Sequence, residues 1–208
     1  MLHKNADDRV DARESAEKTN EENIIRMAIG YTAMMPLFEE HSVDLILEKM
    51  TSLISCLDQI STDQEFTQMH GGFCRWFVGA VKLRRSGERP SYGQAAKVLD
   101  LALKVYVFYC KMPNRAKAES LIPRLNGVID TPMLRHLFTK MAIVYGKPFP
   151  PHYLWTINMI DEENYLLLQK LIRQVIRDSF ESRIWPVQHD DVMGQRFSSS
   201  FWAPPVRV

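Results

Sequence analysis

Between Pro90 and Pro113 the chain reads PSYGQAAKVLDLALKVYVFYCKMP, apolar on nearly every side of a helix yet interrupted by Lys97, Asp100, Lys104 and Lys111. Ser91 followed three residues later by Gln94 is a capping-box signal, and Pro113 is the stop, because proline has no amide with which to continue a helix. A helix that is hydrophobic all round has to be enclosed by other elements. The segment therefore demands a core built around it, and its charged residues demand an explanation. At 100° per residue the four fall within about 60° of one another. They form either a solvated stripe laced by Lys97–Asp100 and Asp100–Lys104 pairs, or the setting of a catalytic amine.

The remaining sequence supplies the enclosing elements. Apolar residues recur at three and four and no stretch alternates cleanly at two, so the fold class is all-α. Residues 1–20 read as a polar N-terminal arm and 21–208 as a single helical domain, long enough for one large domain or two small lobes sharing a cleft. Helices are expected over 21–35, 42–58 and 63–84, the last containing Gly71-Gly72, a point of kinking or close approach. Asp130 is the expected N-cap of the helix in DTPMLRHLFTKMAIVYG, and Asp161 that of MIDEENYLLLQKLIRQVIRDSF. Between these two lies the proline-containing loop KPFPPHYLW, and from Trp185 onward the pattern assigns no element.

Composition excludes several classes. Apolar residues make up 46% and charged residues 25% of the chain, ordinary globular values. No apolar run approaches the roughly 20 residues that span a bilayer, and the polar N-terminus has no signal-peptide core, so a cytoplasmic protein with no membrane contact is expected. Cys56, Cys74 and Cys110 show no CxxC spacing and read as reduced core residues; with no paired-histidine motif, neither a metal nor another cofactor is expected. The net charge of +1 hides an uneven distribution. Residues 75–117 hold ten bases against Glu88 and Asp100, a basic block that suggests a polyanionic partner or simply a solvated surface.

The run GQAAKVLDLALK (93–104) followed by PRLNGVIDTPMLR (123–135) resembles the lysine and aspartate motifs of helix-hairpin-helix superfamily DNA glycosylases. The separation of 33 residues between Lys97 and Asp130 is similar to that of the divergent archaeal 8-oxoguanine DNA glycosylases. Small all-helical antiphage glycosylases, which remove glucosylated hydroxymethylcytosine from phage DNA, are a second possible relative. The likeness covers about 45 residues, and RRSGERPSYGQ stands where the family has an LPGVG-like turn. It implies a two-lobed helical fold with a DNA-binding cleft, double-stranded DNA as partner to a monomer, and excision of a modified base, in repair or in antiviral defence.

The implied roles fall on definite residues. Asp130 would stabilise the positive charge that grows on deoxyribose as the glycosidic bond breaks. Lys97, when neutral, would attack C1′ and allow strand cleavage; Lys104 and the nearby arginines are the cations that would favour neutrality. A flipped base needs flat walls, for which Phe73, Trp76, Phe77 and Trp155 are the aromatic candidates, although core packing is the commoner use of such residues. Arg84, Arg85, Arg89, Lys104, Arg135 and His136 would contact phosphate, with Gly87 and Gly93 shaping an anion nest. Two other classes stay open: a non-enzymatic helical module that binds DNA or protein, and a HEPN-like ribonuclease built on Arg183 and His189, whose spacing Pro186 interrupts.

Overall fold

The computed structural model describes residues 23, 24, 26, 27, 35–134, 137 and 156–201. The polar arm, most of the helix expected at 21–35, the proline loop with Trp155, and Arg135 and His136 lie outside the described residues. The architecture is all-α. The helices are α1 (Glu40–Ile54), α2 (Asp63–Ala80), α3 (Tyr92–Leu103), α4 (Arg115–Leu121), α5 (Glu162–Phe180) and α6 (Pro186–Phe201), and a further helical turn starts at Thr131. Among the described residues there is no strand, only an isolated antiparallel bridge between Phe38 and Leu83.

Local chemistry sets the helix starts. Thr62 and Glu65 form a capping box on α2, the Glu65 amide donating to Thr62 Oγ1 and the Thr62 amide to Glu65 Oε2 at 2.9 Å. The backbone amides of Ser61 and Thr62 both donate to that carboxylate and hold its pKa below the usual value. Ser91 and Gln94 close the expected box on α3, Asn114 caps α4, and Asp161 caps α5. Proline at the first position of α6 starts a helix that the sequence pattern does not announce.

Two helices end earlier than periodicity suggests. α2 stops at Ala80, not at residue 84, because residues 82–84 pair with 37–39: the Glu39 amide donates to Lys82 O and the Arg84 amide to Leu37 O at 2.7 Å. α3 widens after Leu103 into a π-helical stretch, Lys104–Tyr109, and Lys111 then adopts a left-handed conformation (φ 56°). The Gly71-Gly72 pair does not break α2. A Cβ on Gly71 would lie 3.1 Å from the Arg75 guanidinium, so glycine there lets Arg75 fold back along its own helix.

α3 is the centre of the molecule. Every residue from Tyr92 to Leu103 is buried except Lys97 and Leu101, which are half-buried. Its most extensive neighbour is α2, and α5 lies along it as well. Val98, Leu99, Leu103, Phe73, Phe77 and Ile172 fill the space between them, each fully buried large side chain contributing roughly 1.5–3 kcal/mol. Gly93 permits the closest approach: a Cβ there would meet Ile157 O at 2.6 Å, and the Gly93 amide donates to Ile160 O at 2.9 Å. Of the cysteines only Cys74 is a core residue; Cys56 and Cys110 are exposed. No helix among the described residues is long and apolar enough to cross a membrane.

Candidate functional site

The charges on α3 do not form the solvated stripe. Asp100 is buried, and both carboxylate oxygens are occupied from neighbouring helices: His70 Nε2 of α2 lies 2.9 Å from Oδ1, and the Tyr165 hydroxyl of α5 donates to Oδ2 at 2.7 Å. The rings of His70 and Tyr165 stack at 5.3 Å, 11° from parallel. Burial opposes a charge on His70, but Asp100 and, behind the ring, Cys74 outweigh it and push the imidazole pKa up to about 10. Burial and the adjacent carboxylate push the Tyr165 phenol well above its usual value. At neutral pH the network is an imidazolium and a phenol, both donating to one carboxylate.

Lys104, on the π-helical turn, is also buried and serves α6. Its ammonium donates to Asp190 Oδ2 at 2.7 Å and Asp191 Oδ1 at 2.6 Å, and the Tyr109 hydroxyl donates to the other oxygen of Asp191. Burial alone would lower the lysine pKa; the two carboxylates reverse this and raise it. Asp190 Oδ1 is buried without a hydrogen-bond partner among the described residues, and burial pushes that carboxyl up to about 6 against the pull of Lys104. Lys104 is thus a structural cation, committed within the protein and in no position to contact phosphate or to act as an unneutralised neighbour of Lys97.

Of the stripe, Lys111 lies beyond the π-helical stretch with its ammonium 4.7 Å over the Phe108 ring, and Lys97 remains on α3 itself. It is half-buried on an otherwise enclosed helix and has no hydrogen-bond or ion-pair partner among the described residues. Asp130 is half-buried and fixed, its Oδ1 accepting from the Met133 amide at 2.8 Å while the Leu134 amide donates to its backbone oxygen. The segment preceding it returns along α5, where Gln169 grips Gly127 through both backbone groups at 3.0 and 2.8 Å.

The other residues singled out from sequence divide clearly. Phe73 and Phe77 are core residues, and Trp76 packs against the same cluster with Lys49 over its ring at 5.7 Å. The anion nest is not formed: the Gly93 amide is taken by Ile160 and the Gly87 amide by Leu83 O at 2.8 Å, with Gly87 at φ 67° making the tight turn that glycine allows. Around that turn Arg84, Arg85 and Arg89 are exposed, Arg84 spending one donor on Phe38 O. Lys117 donates to the carbonyls of Asp58 and Ile60, and Arg115 pairs with Glu119. Lys104 and Lys117 are therefore used inside the protein, and the outward part of the basic block comprises residues 82–89 together with Arg75 and Arg115, each paired with a carboxylate at the surface. Arg183 is exposed and pairs with Glu181, whereas His189 is wholly buried beneath the Phe180 ring, so the ribonuclease pair is split between surface and core.

Beside the Asp100 network a cavity of about 520 Å³ opens between α2, α5 and the turn at Ile122–Arg124. Phe66, His70, Tyr92 and Tyr165 line it but are each less than a tenth exposed, and its polar lining sets Arg75, Arg124 and Arg173 among Asn126, Gln169 and the carboxylates of Asp63 and Glu162. His70, Tyr165, Asp190 and Asp191 escaped the sequence reading. The signal for them was indirect: a carboxylate and a lysine inside an apolar helix have to be paired from elsewhere. Among the described residues no group of three or more His, Cys, Asp or Glu side chains is arranged to hold a metal ion. Comparison with family models, with curated proteins and with solved structures finds no match to the chain.

Proposed function

We propose that the chain is a DNA glycosylase of two-lobed helical form, binding double-stranded DNA in a cleft and excising a modified base with Lys97 and Asp130. The observation that carries the reading is the isolation of Lys97. The stripe that offered a bland explanation for it has dissolved: Asp100 belongs to His70 and Tyr165, and Lys104 to Asp190 and Asp191. A lysine half-buried on a central helix, with no hydrogen-bond or ion-pair partner among the described residues, keeps its ammonium free for a ligand. The exposed basic turn at 82–89 supports a phosphate-binding role, giving salt-dependent affinity without sequence choice.

In this reading the fixed carboxylate of Asp130 faces the sugar as positive charge develops at C1′ and lowers that charge's energy. Once it has given up a proton, the Lys97 amine bonds to C1′ as the bond to the base breaks and the base departs with the bonding electrons; loss of a second proton and ring opening then give a Schiff base that permits strand cleavage. With Lys97 protonated, water takes the place of the amine and an abasic site is left without a nick. An oxidised purine and a glucosylated hydroxymethylcytosine both suit this chemistry, the first in repair and the second in antiviral defence.

The test is borohydride trapping and alkali cleavage on duplexes carrying 8-oxoguanine, uracil, alkylated bases, or hydroxymethylcytosine with and without glucose, using the native chain, Lys97→Gln and Asp130→Asn. Alkali-labile sites on one substrate, lost in Asp130→Asn, establish excision; a trapped adduct lost in Lys97→Gln adds the lyase step. Abasic sites on no substrate, with DNA binding intact in both variants, identify a non-enzymatic binding module.

A further inference from the structure

We propose that His70 is a positioning residue for Lys97: by taking up the charge of Asp100 from the side of α2, it leaves the Lys97 amine without a carboxylate neighbour and free to react. The inference rests on the reading of Lys97 as the reacting amine, and adds to it a residue of another helix that acts through Asp100.

The sequence sets the problem. Lys97 and Asp100 stand three apart on α3, a spacing that brings Cβ atoms to about 5–6 Å and ordinarily pairs lysine with aspartate. An ammonium beside an ionised carboxylate holds its proton more firmly, and a lysine that keeps its proton is no nucleophile. Asp100 is thus the group on α3 best placed to silence Lys97.

The fold answers by engaging Asp100 from elsewhere. His70 Nε2 lies 2.9 Å from Oδ1 and the Tyr165 hydroxyl donates to Oδ2 at 2.7 Å, so both oxygens are occupied across two helix interfaces. The two donors differ in charge. His70 is an imidazolium at neutral pH and cancels the carboxylate's charge, whereas the Tyr165 phenol stays neutral and supplies a hydrogen bond alone. Lys104, four residues beyond Asp100, is drawn off by Asp190 and Asp191. Arg173 of α5 also feels the carboxylate but gives its donors to the carbonyls of Pro123 and Arg124. His70 is therefore the cation in contact with Asp100, and Lys97 keeps no partner among the described residues.

Reductive methylation with formaldehyde and cyanoborohydride reads the neutral amine without DNA, and mass spectrometry follows Lys97 against Lys170, an exposed lysine of α5. At pH 7.5 we expect His70→Gln, which keeps a donor but loses the charge, to slow Lys97 relative to Lys170 by roughly threefold or more. Tyr165→Phe, which loses a hydrogen bond but keeps the charge, should leave the ratio within about twofold. The double variant His70→Gln/Asp100→Asn should restore the ratio, a recovery that a merely structural role of His70 does not give. Asp100→Asn alone should also leave it unchanged, and this variant decides the matter where His70→Gln does not fold, because a severalfold rise would show that Asp100 already bears on Lys97 in the native chain. That rise, an unchanged ratio in His70→Gln, or equal losses in His70→Gln and Tyr165→Phe would overturn the proposal. Borohydride trapping on the same proteins keeps the two readings apart: no adduct with any duplex, beside labelling ratios as expected, strikes the excision reading and leaves the neutralisation of Asp100 by His70 standing.

Discussion

His70 of α2 and Asp100 of α3 form an ion pair 2.9 Å long with side chains only 4% and 1% exposed, so the two central helices are joined by charge as well as by apolar packing. Removing His70 leaves the Asp100 carboxyl buried with one donor fewer, a defect of a kind that typically costs about 3–5 kcal/mol, whereas removing Asp100 leaves an imidazole that burial drives to shed its proton. His70→Gln and Asp100→Asn are each expected to fall near the lower end, since Tyr165 still donates to position 100. Urea unfolding of both single variants and the double variant should give a coupling energy of about 1–3 kcal/mol. Additive losses would reduce the pair to a packing contact.

The same pair sets a dependence on pH. A free histidine titrates near 6.5, and His70 is raised to about 10, so the native state holds a proton that the unfolded chain releases. Its stabilisation is complete below about pH 6.5 and is lost as pH rises through 10, with a slope of at most about 1.4 kcal/mol per pH unit. Unfolding midpoints measured from pH 6.5 to 10 should fall for the native chain and fall less steeply for His70→Gln. Parallel curves would mean that His70 is neutral when folded.

The all-α class and three of the caps were legible in the sequence because they rest on local rules: Ser91 with Gln94, Asp161 and Asp130 cap where their spacing says, whereas the stretch PNRAKAESLIPRLNG, which reads as a connector, holds α4 and its Asn114 cap. What was not legible depends on partners distant along the chain. Asp100 finds its partners 30 and 65 residues away, and Lys104 finds carboxylates more than 80 residues on, so helical spacing alone joined Lys97, Asp100 and Lys104 into one stripe. α6 escaped for a related reason: its sequence is largely polar, and beside Val187 and Met193, which reach the core, it is held by Lys104. For the candidate site, the residue types were readable and their environments were not.

Two glycines with opposite surroundings give a paired prediction. Gly93→Ala drives a methyl to within 2.6 Å of a backbone oxygen and 2.7 Å of Ile160 Cβ, so α3 must move away from the Ile157–Met159 turn, at a cost of about 1–3 kcal/mol or more. Gly72→Ala, exposed within α2 with nothing inside 4 Å, should stabilise by about 0.5–1 kcal/mol through helix propensity. Thermal melts of the two variants should therefore shift in opposite directions. A neutral Gly93→Ala would show that the close approach relaxes freely.

Lys104 holds α6 against the body of the protein, and its two carboxylates are not equivalent. Lys104→Met leaves Asp190 and Asp191 facing each other without a cation, and a loss of about 3 kcal/mol is expected, with α6 becoming the first segment cut in limited proteolysis. Asp190→Asn removes a carboxylate whose second oxygen is buried unpaired and whose pKa burial has raised to about 6, so its cost should stay below about 1 kcal/mol. Equal losses in the two variants would contradict the asymmetry.

Asp130 lets structure and chemistry be tested separately. Asparagine caps a helix about as well as aspartate, because its side-chain oxygen also accepts from the amide three residues on, here that of Met133. Asp130→Asn should therefore keep stability within about 0.5 kcal/mol, whereas Asp130→Ala should lose about 1 kcal/mol with the cap. Excision depends on the charge, which both variants remove, so both should lose base release by a hundredfold or more if the carboxylate supplies the electrostatic stabilisation proposed for it. Unfolding curves and alkali cleavage on the same three proteins separate the roles. Base release that follows stability, retained in Asp130→Asn and weakened only in Asp130→Ala, would make Asp130 a capping residue and remove the carboxylate from the mechanism.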